Sequence, residues 1–177
     1  MRGITISTSA ICEPALLELL HGKGAHADPL GCAEDLTAEI AGREAAGFPN
    51  SIWQQLSHMN YWMDYELRRI RGQKPEYPEH AAESWPASFA PSSEAEWRET
   101  VKQFSGLIEE YAALARSTPE ELGRQIEPMH QVDKEHASTL SAVLWQMVVH
   151  NSYHTGQIVL LRRALGAWPP RAGGDTW

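Results

Sequence analysis

The chain has 177 residues, room for one domain with a single sizeable core, and one domain over 1–177 is expected. Fifteen basic against 23 acidic side chains give 15 − 23 = −8 with neutral histidines, which argues against a nucleic-acid partner. Glu13, Pro14 and Glu18 interrupt the stretch where a signal peptide needs its apolar centre, and no apolar run spans a bilayer, so a soluble cytoplasmic protein with no membrane partner is expected.

Taken in chain order, Glu13 to Leu20 reads as a short helix, followed by the Gly-containing break HGKGAHADP. Asp28 as N-cap and Pro29 at the first position predict a longer helix running to about Ala46. Cys12 and Cys32 lack Cys-x-x-Cys spacing and are expected as reduced, buried thiols. Gly47 and Pro49 stop that helix, and Asn50 or Ser51 caps the next, the latter with Gln54 in the spacing of a capping box. This second long helix runs to Gly72, with Ile52, Leu56, Met59, Met63, Leu67 and Ile70 at the steps of three and four that a buried face requires.

Residues 73–91 hold Pro75, Pro78, Pro86 and Pro91, so they form no regular element. A crossover that long is expected to be functional or packed over the body. A third long helix starts after Ser92 or Ser93, the latter in capping-box spacing with Glu96, and carries Trp97, Val101, Phe104, Leu107, Ile108, Tyr111 and Leu114 on one face. Thr118 and Pro119 open a short turn. The fourth long helix begins near Ser138 or Thr139, ends at Leu165 before Gly166, and carries Leu140, Val143, Leu144, Met147, Ile158, Leu161 and Leu165. No stretch alternates with period two, so the fold class is all-α: a four-helix bundle with a long crossover between helices two and three.

Seven tryptophans and eight histidines are many for this length, and position decides what they do. His150 and His154 stand four apart on the fourth helix, about 40° from each other on a helical wheel, and point toward the aliphatic stripe. Asn151 shares that arc. Burying such groups costs about 1–3 kcal/mol apiece unless each finds a partner. A metal ion would supply one, since neutral imidazole suits zinc, nickel and iron. Spacing alone leaves the pair open between metal ligands and satisfied core histidines.

A third ligand is sought on the second helix, where His58 lies roughly 140° from the centre of the aliphatic stripe, near Trp62 and Tyr65. The paired Glu-x-x-His motifs of a di-iron bundle are missing, the sole match, Glu127 to His130, containing Pro128. There is no HExxH, P-loop or Gly-x-Ser-x-Gly. Glu66 is expected to bridge to an arginine, and Trp53, Trp62, Trp97 and Trp145 to pack in the core. Trp85, Trp168 and Trp177 are candidates to close over a site or a partner. His21, His26, His80, His130 and His136 fall in loops and are expected to face solvent.

The segments SIWQQLSHMNYWMDYELRRIRG and HNSYHTGQIVLLRRALGAWPP, with the tail GGDTW, strongly resemble the DinB-like (DinB/YfiT) superfamily of metal-dependent bundle proteins, from the second helix to the C-terminus. That family is marked by one histidine on its second helix and H-x-x-x-H followed by Gly-Gln on its last, matched here by His58, His150, His154, Gly156 and Gln157. The resemblance implies a divalent metal (zinc, nickel or iron) on His58, His150 and His154, with open positions for water or a small-molecule substrate. It also implies a homodimer. Its characterised members include enzymes that use a low-molecular-weight thiol, so activation of a thiol in an S-transferase-like reaction is expected, with hydrolysis by activated water next. No general base stands out, and Asn151 and Gln157 are candidates to hydrogen-bond the ligands. From a different class, a non-catalytic bundle that binds metal or a small ligand, or a purely structural dimer, fits the same residues.

Overall fold

Ser51 accepts a hydrogen bond from the Gln54 backbone N–H while the Gln54 side chain accepts one from the Ser51 N–H, and this capping box starts the helix Ile52–Ile70 where the sequence places it. The computed structural model describes residues 9–23, 26–127, 138–171 and 173. In chain order the elements are α1 (Ser9–Leu20), α2 (Ala38–Ala41), α3 (Ile52–Ile70), a 3₁₀ turn (Ala81–Ser84), α4 (Glu94–Ala115), α5 (Pro119–Leu122), strands β1 (Gln125–Ile126) and β2 (Ser138–Thr139), and α6 (Leu140–Ala164).

The long helices form a closed ring: α3 packs on α6 and α4, and α1 packs on both of those from the other side. The fold is thus the expected all-α bundle. Every member of the α3 stripe is buried, as are the stripes of α4 and α6 apart from the half-buried Leu114 and Leu165. Ser93 caps α4 and Thr139 caps α6, each accepting from the backbone three residues on. Gly166, with φ +70°, follows the end of α6 in a conformation that glycine adopts without strain. An antiparallel two-residue ribbon, Gln125 opposite Thr139 and Ile126 opposite Ser138, joins α5 to α6 and is too short to show in a periodicity.

One predicted element is not formed. Residues 28–46 are turns around the single-turn α2, and the fourth wall of the bundle is α1, of 12 residues. Asp28 does cap, its carboxylate accepting from the Leu30 N–H, but it caps a turn. Carbonyls that a helix would use along its own axis turn sideways instead. The Cys32 carbonyl accepts from Arg162 Nη1 at 2.8 Å and the Leu36 carbonyl from the Trp97 indole at 2.8 Å. The buried Arg162 also holds Asp35 at 2.7 Å, so this segment is nailed to α6 and α4 by long-range polar bonds that outweigh its helical pattern. Cys32 is free and buried, as expected, and burial pushes its thiol up to about 12. None of the helices among the described residues is long and apolar enough to cross a membrane.

Candidate metal centre

The crossover explains why His58 is buried despite lying off the aliphatic stripe of α3. Gln54 donates to the carbonyls of Pro86 and Ser88 at 3.0 and 3.1 Å, and the Ser51 hydroxyl donates to the Phe89 carbonyl at 2.6 Å. These bonds fold the proline-rich segment over a second face of α3. His58 is only 7% exposed beneath it, with the Trp85 ring stacked on its imidazole at 3.9 Å between centroids.

His58, His150 and His154 each offer a ring nitrogen, and these nitrogens lie within 4.8 Å of one another. His58 Nε2 and His150 Nε2 are 3.2 Å apart. Two nitrogens bound tetrahedrally to one zinc at their usual distances stand about 3.3 Å apart, so the spacing fits a shared cation.

The far nitrogens are held by the protein. The Ser84 hydroxyl donates its proton to the Ala81 carbonyl at 2.7 Å, which leaves its oxygen to accept from His58 Nδ1–H at 2.9 Å. His58 Nε2 therefore carries a lone pair. His154 Nδ1 faces the side-chain oxygens of Gln55 at 2.6 Å and Gln157 at 2.9 Å, so its proton sits on Nδ1 and its Nε2 is likewise a lone pair. His150 Nδ1 is buried without a hydrogen-bond partner among the described residues, as is Asn151 Oδ1.

Burial keeps the three rings neutral. It is the largest cause in each case: with the neighbouring imidazoles it lowers His58 to about 3, and with His150 it lowers His154 to about 4 against the Gln157 bond. His150 is lowered by burial, opposed by the Asn151 side chain. Neutral imidazoles are the form that ligates metal. Lone pairs on two of the rings, a third imidazole within reach and no charge to repel a cation make this donor set suited to a divalent ion.

The site is open on one side. A cleft of about 360 Å³ is lined by Trp62, Glu66, Tyr77, Gln146, Met147, Val149 and His150. Trp62 stands edge-on to His58, at 6.4 Å, so the cleft ends against the imidazoles. Glu66 makes the expected bridge, to Arg69 Nη1 at 2.5 Å, with Arg69 also donating to the Glu127 carbonyl.

His58, His150 and His154 are thus brought together, and Gln157 touches His154. Asn151 donates its Nδ2 to Met63 Sδ at 3.2 Å, pointing from α6 toward the α3 stripe, while its side chain also acts on the adjacent His150. Of the tryptophans expected in the core, Trp53 and Trp97 are there, whereas Trp62 and Trp145 are only half-buried and Trp62 walls the cleft. Trp85 closes over the histidines; Trp168 instead packs against Arg163, and Trp177 lies outside the described residues. His21 and His80 are exposed, but His26 is half-buried because Ser152 on α6 bonds its Nε2 at 2.7 Å; His130 and His136 lie outside the described residues. Gln55 and Ser84 were not foreseen. Gln55 had a signal, standing three residues before His58 on the same helical face, but Ser84 is brought in from the crossover and has none.

The family model described as the DinB superfamily matches residues 24–158, a span that contains all three histidines. A solved structure described as a conserved protein of locus from Enterococcus faecalis is similar over 93% of this chain and 98% of that one, with 15% identity and a TM-score of 0.56, which speaks for the fold. No curated protein matches the chain.

Proposed function

The chain belongs to the DinB superfamily, and from that membership we propose that it is a metal-dependent enzyme built on His58, His150 and His154. The observation that carries this is the convergence of three neutral imidazoles from two helices, at least two with the proton fixed on the far nitrogen. A divalent ion, zinc, nickel or iron, held by three neutral ligands keeps its full charge and an open position, and so lowers the pKa of a thiol or water to near neutrality. A low-molecular-weight thiol is the favoured co-substrate, in an S-transferase-like reaction; hydrolysis is the second choice.

The protein's own share is positioning. Ser84, Gln55 and Gln157 orient two imidazoles, and Trp85 covers one side of the cluster while the cleft beside His150 admits a small molecule from the other. The buried, protonated Cys32 thiol suits a reducing, cytoplasmic setting. A homodimer would use the outer face of α6, where Val149, Tyr153 and Leu160 are exposed and a Cβ on Gly156 would meet nothing within 4 Å.

Elemental analysis of protein purified without a histidine tag tests the reading. The expected result is about one divalent ion per chain, lost in His154→Ala, and consumption of thiol in a screen pairing low-molecular-weight thiols with electrophiles. Metal at far below one per chain after reconstitution overturns the centre; metal without turnover of thiol, ester or amide panels would instead leave a binding module.

A further inference from the structure

Trp62 from α3 and Tyr77 from the crossover touch, with ring centroids 5.7 Å apart and planes tilted by 47°, and so form one continuous aromatic wall, packed against Tyr65 at 5.4 and 6.1 Å. The rest of the cleft is lined from α6 by Gln146, Met147, Val149 and His150. Its volume of about 360 Å³ admits a molecule built on one ring. Charge is withdrawn and balanced here. Glu66, the one acid in the lining, is 1% exposed and paired with Arg69 Nη1 at 2.5 Å, and no lysine or arginine lines the cleft.

A charged group entering this cleft gives up water and meets no opposite charge, which costs free energy, whereas an apolar ring gains contact with the aromatic wall at no such cost. We propose that the cleft takes the uncharged, apolar or aromatic body of a small molecule, laid between the Trp62 and Tyr77 wall and the side chains of Met147 and Val149. The Gln146 amide, which both donates and accepts, suits a neutral polar group on that body. The end nearest His150 is the one on which the activated thiol or water acts, a clause that deepens the metal-dependent reading and rests on it; the binding itself does not.

Titration calorimetry on the full chain, metal-free at pH 7.5, with three probes of like shape tests it: 2-phenylethanol, 2-phenylethylammonium and 3-phenylpropanoate. The alcohol should bind about tenfold more tightly than either ion. Tyr77 is 41% and Val149 63% exposed, so substitutions at both should keep the fold. Tyr77→Ala should lose about fivefold in alcohol affinity, and Val149→Asp, which puts a carboxylate into the lining, should shift the ammonium-to-alcohol ratio about fivefold toward the ammonium. Equal or tighter binding of either ion, an unchanged Tyr77→Ala, or an unchanged ratio in Val149→Asp overturns the proposal. Metal analysis of the parent protein separates the two readings: preference for the alcohol in a chain that takes up no metal supports the cleft alone, whereas bound metal without that preference removes the cleft and leaves the metal centre standing.

Discussion

His154 owes its orientation to two glutamine carbonyls on different helices, Gln55 from α3 and Gln157 from its own turn, and His58 owes its orientation to one serine. Partners of this kind, on the far nitrogen of a ligand, typically govern metal affinity by 10–100-fold. Ser84→Ala should therefore weaken metal binding by about tenfold with the fold intact, measured by competition with a chromophoric chelator; an unchanged affinity would show that Trp85 stacking alone orients His58. Acid should act through the same rings. Free imidazole titrates at 6.5, whereas His58 and His154 are lowered to about 3 and 4, so below pH 6.5 the unfolded chain takes up protons first. With metal removed, stability on their account is flat above pH 6.5 and falls as pH drops toward 4 and 3. Urea midpoints at pH 7.5 and 5 should show the loss, and His154→Ala should show less of it.

At the scale of elements, α3 does two jobs at once. Its aliphatic stripe is legible as a helix face, and Ser51 with Gln54 was legible as a capping box, because both depend on residues three or four apart. The same Ser51 and Gln54 side chains also tie down the crossover, which no local pattern reveals. Ser51→Ala should thus cost more than the ~1 kcal/mol of an ordinary cap, roughly 2 kcal/mol with the lost bond to Phe89, in chemical denaturation. It should also loosen Trp85 over His58, seen as a red-shifted tryptophan emission. A cost confined to the cap, with emission unchanged, would mean that the loop is held by other contacts. His58 illustrates the limit of the helical wheel: its burial follows from a second covering layer on α3, and the wheel counts only one.

For the whole molecule, Arg162 is a buried charged side chain that ties the N-terminal third to the bundle, alongside Trp97 on the Leu36 carbonyl and Ser152 on His26. Arg162 is 1% exposed and bonds the Cys32 and Ala167 carbonyls as well as Asp35. Burial would raise the Asp35 carboxyl, but the Arg162 guanidinium and the Arg171 N–H outweigh it and hold it below the usual range. Asp35→Ala should destabilise by about 3 kcal/mol, the low end for a broken buried pair because two carbonyls remain on Arg162. Equilibrium unfolding measures this, and a change under 1 kcal/mol would show that the carbonyls suffice.

The sequence by itself determined the all-α class and the positions of three long helices with their caps, because apolar periodicity and capping are short-range; spacing put His150 and His154 on one face, and only the resemblance to the DinB-like superfamily joined His58 to them. Only the tertiary structure decided that residues 28–46 are not a helix, that Gln55 and Ser84 orient the imidazoles, and that Trp62, Glu66 and Tyr77 share a cleft. Those features rest on bonds between residues tens of positions apart, such as Arg162 to Cys32 and Ser84 to His58, and such bonds form only once packing has brought the segments together. Their energy, a few kcal/mol against the weak local preference for helix, decides the outcome without leaving a mark on sequence spacing.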